Sequence, residues 1–294
     1  MIDQSIIDHA RIDEFNTYDP AKHKTRLGLR FEKKEYRQAL RSNVSVISEL
    51  QEKMYAQHKH SILLVFQAMD AAGKDSTIER VVTGVNPQGV EVNSFKKPTD
   101  LELAHDFLWR VNAKLPPKGK IGVFNRSHYE EVLVTRVHPE FIVYQNLPSI
   151  STVDQIDEQF WQNRFASIRN FENHIAANGT TVVKFFLNVS KDEQRSRLEA
   201  RMAEPEKHWK FNVNDIEERE HWGEYQNAFT EAINNTSSSQ APWYVIPADN
   251  KRVMRIMVTQ IVRDLMEKMS IEWPNSGRDI EADMAEARAL LAAE

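Results

Sequence analysis

A chain of 294 residues with 41% hydrophobic and 28% charged residues can build one large α/β domain or two small ones, and its composition argues against extensive disorder. It contains no cysteine, which excludes a disulfide framework and thiolate-bound zinc, and its net charge of −5 disfavours the broad basic footprint of a nucleic-acid-binding domain. The first ten residues carry acids and no long apolar run, and no window approaches the roughly 18 apolar residues of a membrane span. The expected compartment is therefore the cytoplasm, with neither nucleic acid nor membrane as partner. Any polyanion site has to be built from a few clustered Lys and Arg.

In chain order, the first predicted element is a long helix over 32–59, with Tyr36, Leu40, Val44, Ile47, Leu50 and Met54 at spacings of three and four. It gives way to a continuous apolar run over 61–66, the pattern of a parallel strand covered on both faces. Similar runs follow over 90–95, 121–125, 181–188 and 243–248, with helical patterns between them. Thr99 with Glu102, Thr152 with Gln155 and Ser190 with Glu193 each match a capping box. Strands alternating with capped helices indicate a doubly wound α/β fold with five parallel strands.

Directly after the first strand comes Gln67-Ala-Met-Asp-Ala-Ala-Gly-Lys-Asp-Ser-Thr77. Gly73-Lys74 stands where a GxxxxGK phosphate loop requires it, with Ala68 in the first glycine position. Asp75 replaces the usual Ser/Thr, and Ser76 and Thr77 follow at once. Small residues such as Ala71, Ala72 and Gly73 let backbone N–H groups wrap a phosphate. A helix over 75–82 adds its positive N-terminal end at Asp75 and Ser76, and Lys74 meets the transferring group. Asp70 is unusual, because a carboxylate among phosphates makes sense as a magnesium ligand and otherwise repels them. The plain alternative is a glycine-containing βα turn with an incidental lysine. Lys96 and Lys97 at the next strand end read either as guides for a phosphate chain or as a surface pair.

The strand over 121–125 ends in Asn125-Arg-Ser-His-Tyr-Glu-Glu131, a polar cluster where ligands bind in open α/β sheets. Asn125 stands at the position of a magnesium-binding acid. Arg126 and Arg136 suit bidentate contact with phosphate oxygens, and Arg126 reads equally as a surface ion pair. On the helix after Ser190, Gln194, Arg197 and Arg201 share a face, followed past Pro205 by Lys207, Trp209 and Lys210. Taken alone, this is a solvated helix face. Trp209, Trp222 and Tyr225 could stack on a base, but their spacing also suits a core. His105, His128 and His138 fit no metal-binding pattern and read as structural or surface groups. The tail after Pro274 is an acidic Ala/Leu/Glu helix, suited to an interface or a frayed end.

Three ordered motifs, 69–75, 124–131 and 201–211, resemble the polyphosphate kinase 2 family, and the likeness runs from about Leu27 to Asp264, including the stretch 241–249. The resemblance implies a three-layer α/β/α P-loop kinase fold with a helical lid. It implies one unit over 1–294, with an N-terminal helical extension (1–60), a lid (about 190–233) and a C-terminal helical tail (about 274–294). The implied activity is reversible transfer from inorganic polyphosphate to a nucleotide with Mg²⁺, or Mn²⁺ in its place. The Asn-Arg-Ser-His-Tyr-Glu version is similar to the third class, which converts AMP and ADP to ADP and ATP. By this resemblance, Asp70, Lys74, Arg126, Glu130 and Arg201 are the catalytic candidates, with Lys207 in a cationic lid and Glu130 tied to accepting a monophosphate. Much of the family carries Asp at Asn125, whose amide oxygen can still contact magnesium but adds no charge. Family members usually associate, so a dimer or tetramer is expected. Two other readings remain: an ATP-dependent nucleotide or small-metabolite kinase, and a nucleotide-binding switch without turnover. No NKxD guanine motif or ABC-type signature supports a GTPase or transporter ATPase.

Overall fold

The computed structural model describes residues 1–275, 277 and 279–294. A six-stranded sheet runs through it in the order β1-β6-β5-β2-β4-β3. Its strands are β1 (Arg11–Ile12), β2 (Ser61–Gln67), β3 (Val90–Ser94), β4 (Ile121–Asn125), β5 (Thr180–Asn188) and β6 (Trp243–Pro247). The five strands expected from the apolar runs are mutually parallel. The sixth corrects the five-stranded expectation: β1 lies antiparallel on the edge, with Arg11 opposite Tyr244 and Ile12 opposite Trp243. Two residues cannot display a period-two alternation, so β1 leaves no sequence signal.

Every residue of β2 is buried, which explains why it reads as an unbroken apolar run. Phe66 and its β5 neighbour Phe185 stack at 4.9 Å on one face, while Phe186 stacks on Phe229 of the Trp222–Thr236 helix at 4.2 Å on the other. Truncating such a buried phenylalanine to alanine costs about 3–5 kcal/mol. Helix α1 (Gln4–Ala10) leads into β1, and helices α2 (Lys33–Gln57) and α3 (Lys74–Val82) share a layer with the Lys251–Lys268 helix. The Glu158–Ala177 and Trp222–Thr236 helices form the opposite layer.

The helix expected over 32–59 is α2, capped by Glu32 with Glu35 reaching back to the Glu32 amide at 2.8 Å. Its buried seam includes Ile47 and Met54 but also the polar Asn43 and Gln51. Asn43 donates to Thr259 Oγ1 at 3.1 Å, and Gln51 donates to the carbonyls of Gly89 and Gly119. Apolar periodicity passes over such residues because their burial is licensed by partners on other segments.

The three cap signals resolve differently. Thr99 opens only a four-residue helix, Asp100–Leu103. Thr152 heads a 3₁₀ turn, and the long helix that follows is capped instead by Asp157, which accepts from the Phe160 amide at 2.8 Å. Ser190 caps Lys191–Ala203, but Glu193 does not reach back, because its carboxylate is drawn to Arg197 at 2.9 Å and Arg26 at 3.3 Å. Within the range expected for the lid, Trp222–Thr236 buries Tyr225, Phe229 and Ile233 against the sheet layer. By contrast, the 3₁₀ turn Pro205–Lys210 and the short helix Asn214–Glu217 bury none of their residues.

Candidate active site

β2 and β4 are adjacent and in register, with Phe66 paired to Asn125, so the turns that leave them emerge side by side. The first of these is the phosphate loop. Gly73 caps α3 at φ +107°, a backbone conformation that calls for glycine, and a Cβ there would sit tightly against Met254 Cε at 3.3 Å. Ala71 holds φ +58° despite its side chain. Such strain, about 1–2 kcal/mol, persists only where the surroundings enforce it. Here they do: Arg197 Nη1 donates to the carbonyls of Ala71 (3.3 Å) and Ala72 (2.6 Å), and Gln194 Nε2 to that of Asp70 (2.9 Å). The N–H and C=O of a trans peptide point opposite ways, so tying the Asp70 and Ala72 carbonyls back turns the Ala71 and Gly73 N–H groups forward. Lys74 Nζ donates to the Ala68 carbonyl at 2.8 Å, and Ser76 and Thr77 hydroxyls donate to that of Gly73. Burial pushes the Lys74 ammonium down, with the neighbouring Asp70 charge working against that shift.

The second turn leaves β4 at Arg126, whose amide donates to the Phe66 carbonyl at 3.1 Å and whose φ of +63° turns the chain sharply. Its guanidinium reaches Asp70 Oδ1 at 3.0 Å and Glu130 Oε2 at 3.7 Å. The Glu130 charge above all pushes the Arg126 guanidinium up, against the effect of burial. Burial pushes the Glu130 carboxyl up, opposed by Arg126 and Lys74. Asn125 Nδ2 donates to Asp75 Oδ1 at 2.9 Å, which leaves the Asn125 oxygen as the group able to meet a metal.

The rest of this motif faces the core. Ser127, His128, Tyr129 and Glu131 are buried. Tyr129 Oη donates to Glu172 at 2.8 Å, and the fully buried Lys184 of β5 donates to Glu172 Oε2 (2.6 Å), Tyr129 Oη (3.0 Å) and the Thr236 carbonyl (2.8 Å). Glu131 accepts from Arg164 at 3.1 Å and Gln145 at 2.6 Å. These pairs pin the turn that carries Arg126 and Glu130.

A cavity of about 380 Å³ opens beside Asp70, Arg126 and Glu130. Phe95, Leu133, Phe141, Tyr144, Tyr225 and Phe229 supply much of its apolar wall, and Arg110 and Asp215 add charge. Lys96 and Lys97, both exposed, stand on its rim. From the segment expected to form a lid, Arg201 pairs with Asp215 at 2.7 Å, and Lys210 reaches Asp75 at 3.0 Å.

Asp70, Lys74, Arg126 and Glu130 are thus brought together, with the loop residues Ala71–Ser76 beneath them and Arg201 one residue removed, through Asp215. Arg136 does not line the cavity. Its guanidinium lies over Trp161 at 4.7 Å and pairs with Glu231 (2.7 Å) and Glu158 (3.3 Å), because the turn after Arg126 sends it into the outer helical layer. Lys207 is exposed, pairs with Glu204 and does not line the cavity. Trp209 is 78% exposed and carries Lys210 over its ring, whereas Tyr225 does line the cavity. Sequence reasoning missed Arg110 and Asp215 as cavity residues and Gln194 and Arg197 as the clasp behind the loop. The shared face of Gln194, Arg197 and Arg201 was the one available signal.

Among the described residues no three His, Asp or Glu side chains converge as a metal cage. Asp70 nevertheless suits Mg²⁺, which commonly takes one or two carboxylates and completes its octahedron with water and phosphate oxygens. Burial and the nearby Asp70 charge push the Asp215 carboxyl up, opposed by Arg201 and Arg126.

The profile of the family described as "Polyphosphate kinase 2 (PPK2)" matches residues 30–274. The chain is 48% identical over 267 residues to an ADP-polyphosphate phosphotransferase of Rhodopseudomonas palustris, covering 90% of this chain and 91% of that one. It is also 48% identical over 228 residues to an AMP/ADP-polyphosphate phosphotransferase of Meiothermus ruber, covering 78% and 80%. The crystal structure of polyphosphate kinase 2 from Arthrobacter aurescens superposes with a TM-score of 0.86 at 36% identity, covering 98% and 97% of the two chains.

Proposed function

The chain belongs to the polyphosphate kinase 2 family, and from that premise we propose that it transfers the terminal phosphoryl group of inorganic polyphosphate to AMP and ADP, giving ADP and ATP, and runs in reverse when ATP is abundant. The observation that carries this reading is the meeting of Lys74, Asp70 and Arg126 at adjoining strand ends, beside a cavity with an apolar wall and a basic rim. The wall suits a nucleoside and the rim suits its phosphates.

Two polyanions have to meet end to end, so mutual repulsion is the main obstacle. A phosphate monoester has a second pKa of about 6, so the acceptor oxygen is already largely anionic and needs no strong base. That oxygen attacks the terminal phosphorus of the donor, the adjoining P–O–P bond breaks, and the donor leaves one phosphate shorter. The Ala71 and Gly73 N–H groups and Lys74 hold phosphate in line, and Arg126 offsets charge on the equatorial oxygens. Glu130 beside Arg126 discriminates the acceptor. Arg201 acts from the lid by holding Asp215, and Lys207 belongs to the donor side. Mg²⁺, or Mn²⁺ in its place, would be held by Asp70 with Asn125 in support, supplying charge neutralisation to bridging phosphates. Subunit association is part of the same reading, supported by the exposed Ile280, Met284, Leu290 and Leu291 of the Ile280–Ala292 helix.

The test supplies polyphosphate as sole phosphoryl donor, with Mg²⁺ and AMP, and follows ADP and ATP. Turnover only when ATP is the donor would replace the reading with an ATP-dependent kinase. Binding without turnover would leave a nucleotide switch. No helix among the described residues is long and apolar enough to cross a membrane.

A further inference from the structure

The cavity lies on one side of the phosphate loop, and a separate concentration of positive charge adjoins the loop elsewhere. The Lys251–Lys268 helix begins against the loop, where Met254 of its first turn is the closest neighbour of a Cβ built on Gly73. Arg252 Nη1 donates to the Phe31 carbonyl at 2.7 Å and Arg255 Nη1 to the Tyr36 hydroxyl at 3.5 Å, so this helix start abuts the start of α2. On α2, Lys34, Arg37 and Arg41 follow at i, i+3 and i+7, are exposed, and line one open groove. The helix ends at Gln57, just before β2 begins, so its first turns stand at the same end of the sheet as the loop.

Among the described residues, Lys34, Arg37, Arg41, Lys251, Arg252 and Arg255 take no part in the ion pairs, which engage other cations. A chain of net charge −5 has acids to spare for pairing, so adjacent cations left without them create a local positive field. Partial burial and the charges of Arg197, Arg255 and Lys207 push the Lys251 ammonium down, a crowding that an anion relieves.

We propose that the distal phosphates of a long polyphosphate leave the loop over Lys251, Arg252 and Arg255 and continue along the Lys34–Arg37–Arg41 face of α2. This rests on polyphosphate being the donor and adds a chain-length preference to it. A helix rises 1.5 Å per residue, so Arg41 lies about 7.5 Å beyond Tyr36 along the helix axis. A short oligophosphate seated at the loop ends before that face, whereas a long chain engages it and displaces counterions there.

The experiment compares the unaltered protein with a Lys34→Gln/Arg37→Gln/Arg41→Gln variant, using long-chain polyphosphate and tripolyphosphate as donors at low and high salt. Removing three polyanion contacts is expected to raise the KM for the long chain roughly tenfold at low salt and to flatten its salt dependence. The kcat, the KM for tripolyphosphate and the melting temperature stay as they were. An unchanged long-chain KM, or an equal rise for both donors, would overturn the track while leaving the donor assignment standing. Failure of the unaltered protein to use either donor would overturn the donor assignment itself, and the track with it.

Discussion

Asp70 and Arg126, separated by 56 positions, share a 3.0 Å contact between the phosphate loop and the turn after β4. The contact exists because β2 and β4 are register neighbours, so it ties the two halves of the candidate site together, as Asn125 and Asp75 also do at 2.9 Å. Asp70→Asn keeps the shape and removes the charge, and Lys74→Ala removes the cation under the loop. We expect each to lower turnover by about 10²–10³ or more, with the melting temperature within a few degrees of the unaltered protein. Near-normal rates in either variant would contradict the roles assigned.

Arg126 sits between two carboxylates, and its backbone is in the left-handed region. Arg126→Lys retains the charge but loses the planar fork that can span two acceptors. We expect at least a tenfold loss of kcat with little change in nucleotide KM. A variant as fast as the parent would show that a point charge suffices.

Glu130 is the carboxylate facing Arg126 across the cavity wall. Glu130→Asn should depress AMP phosphorylation more than ADP phosphorylation, by a ratio of about ten. Equal effects on the two acceptors would remove Glu130 from acceptor discrimination.

Arg136 makes the opposite case. Its ion pairs with Glu158 and Glu231 and its place over Trp161 are structural, so Arg136→Met is expected to cost about 1–2 kcal/mol of stability and to leave the KM for polyphosphate unchanged. A rise in that KM without loss of stability would return Arg136 to the anion path.

The pair Lys184–Glu172 carries a pH signature. Burial raises the Glu172 carboxyl, but the Lys184 charge and the His128 hydrogen bond overcome it and hold the group below its ordinary 4.5. A carboxyl depressed on folding stabilises above that ordinary value, and the contribution fades as pH falls from 4.5 toward the folded value. A Lys184→Met/Glu172→Leu double variant removes both charges together, which is far milder than stranding one. Its melting temperature should fall less steeply than the parent's below pH 4.5. Parallel curves for the two proteins would mean that Glu172 is not the group titrating.

The parallel strands, α2 and the phosphate loop were legible in the order of residues because each is a local matter. Continuous apolar runs, three-and-four spacing and small residues before a lysine express themselves within a dozen positions. Chain order could not show which members of Asn125–Glu131 turn outward. The positive φ at Arg126 sends Arg126 and Glu130 to the cavity, while Tyr129 goes to a partner on a distant helix and Glu131, at the cavity wall, is held by Arg164. The same holds for β1, which exists only as the partner of β6, and for Arg197, an ordinary helical arginine until its bonds to Ala72 and Ala248 make it the clasp behind the loop. Local pattern determines which backbone forms. Which charged side chains stay free to meet a ligand depends on the acids and carbonyls that other parts of the chain bring within 3 or 4 Å, and only the folded arrangement decides that.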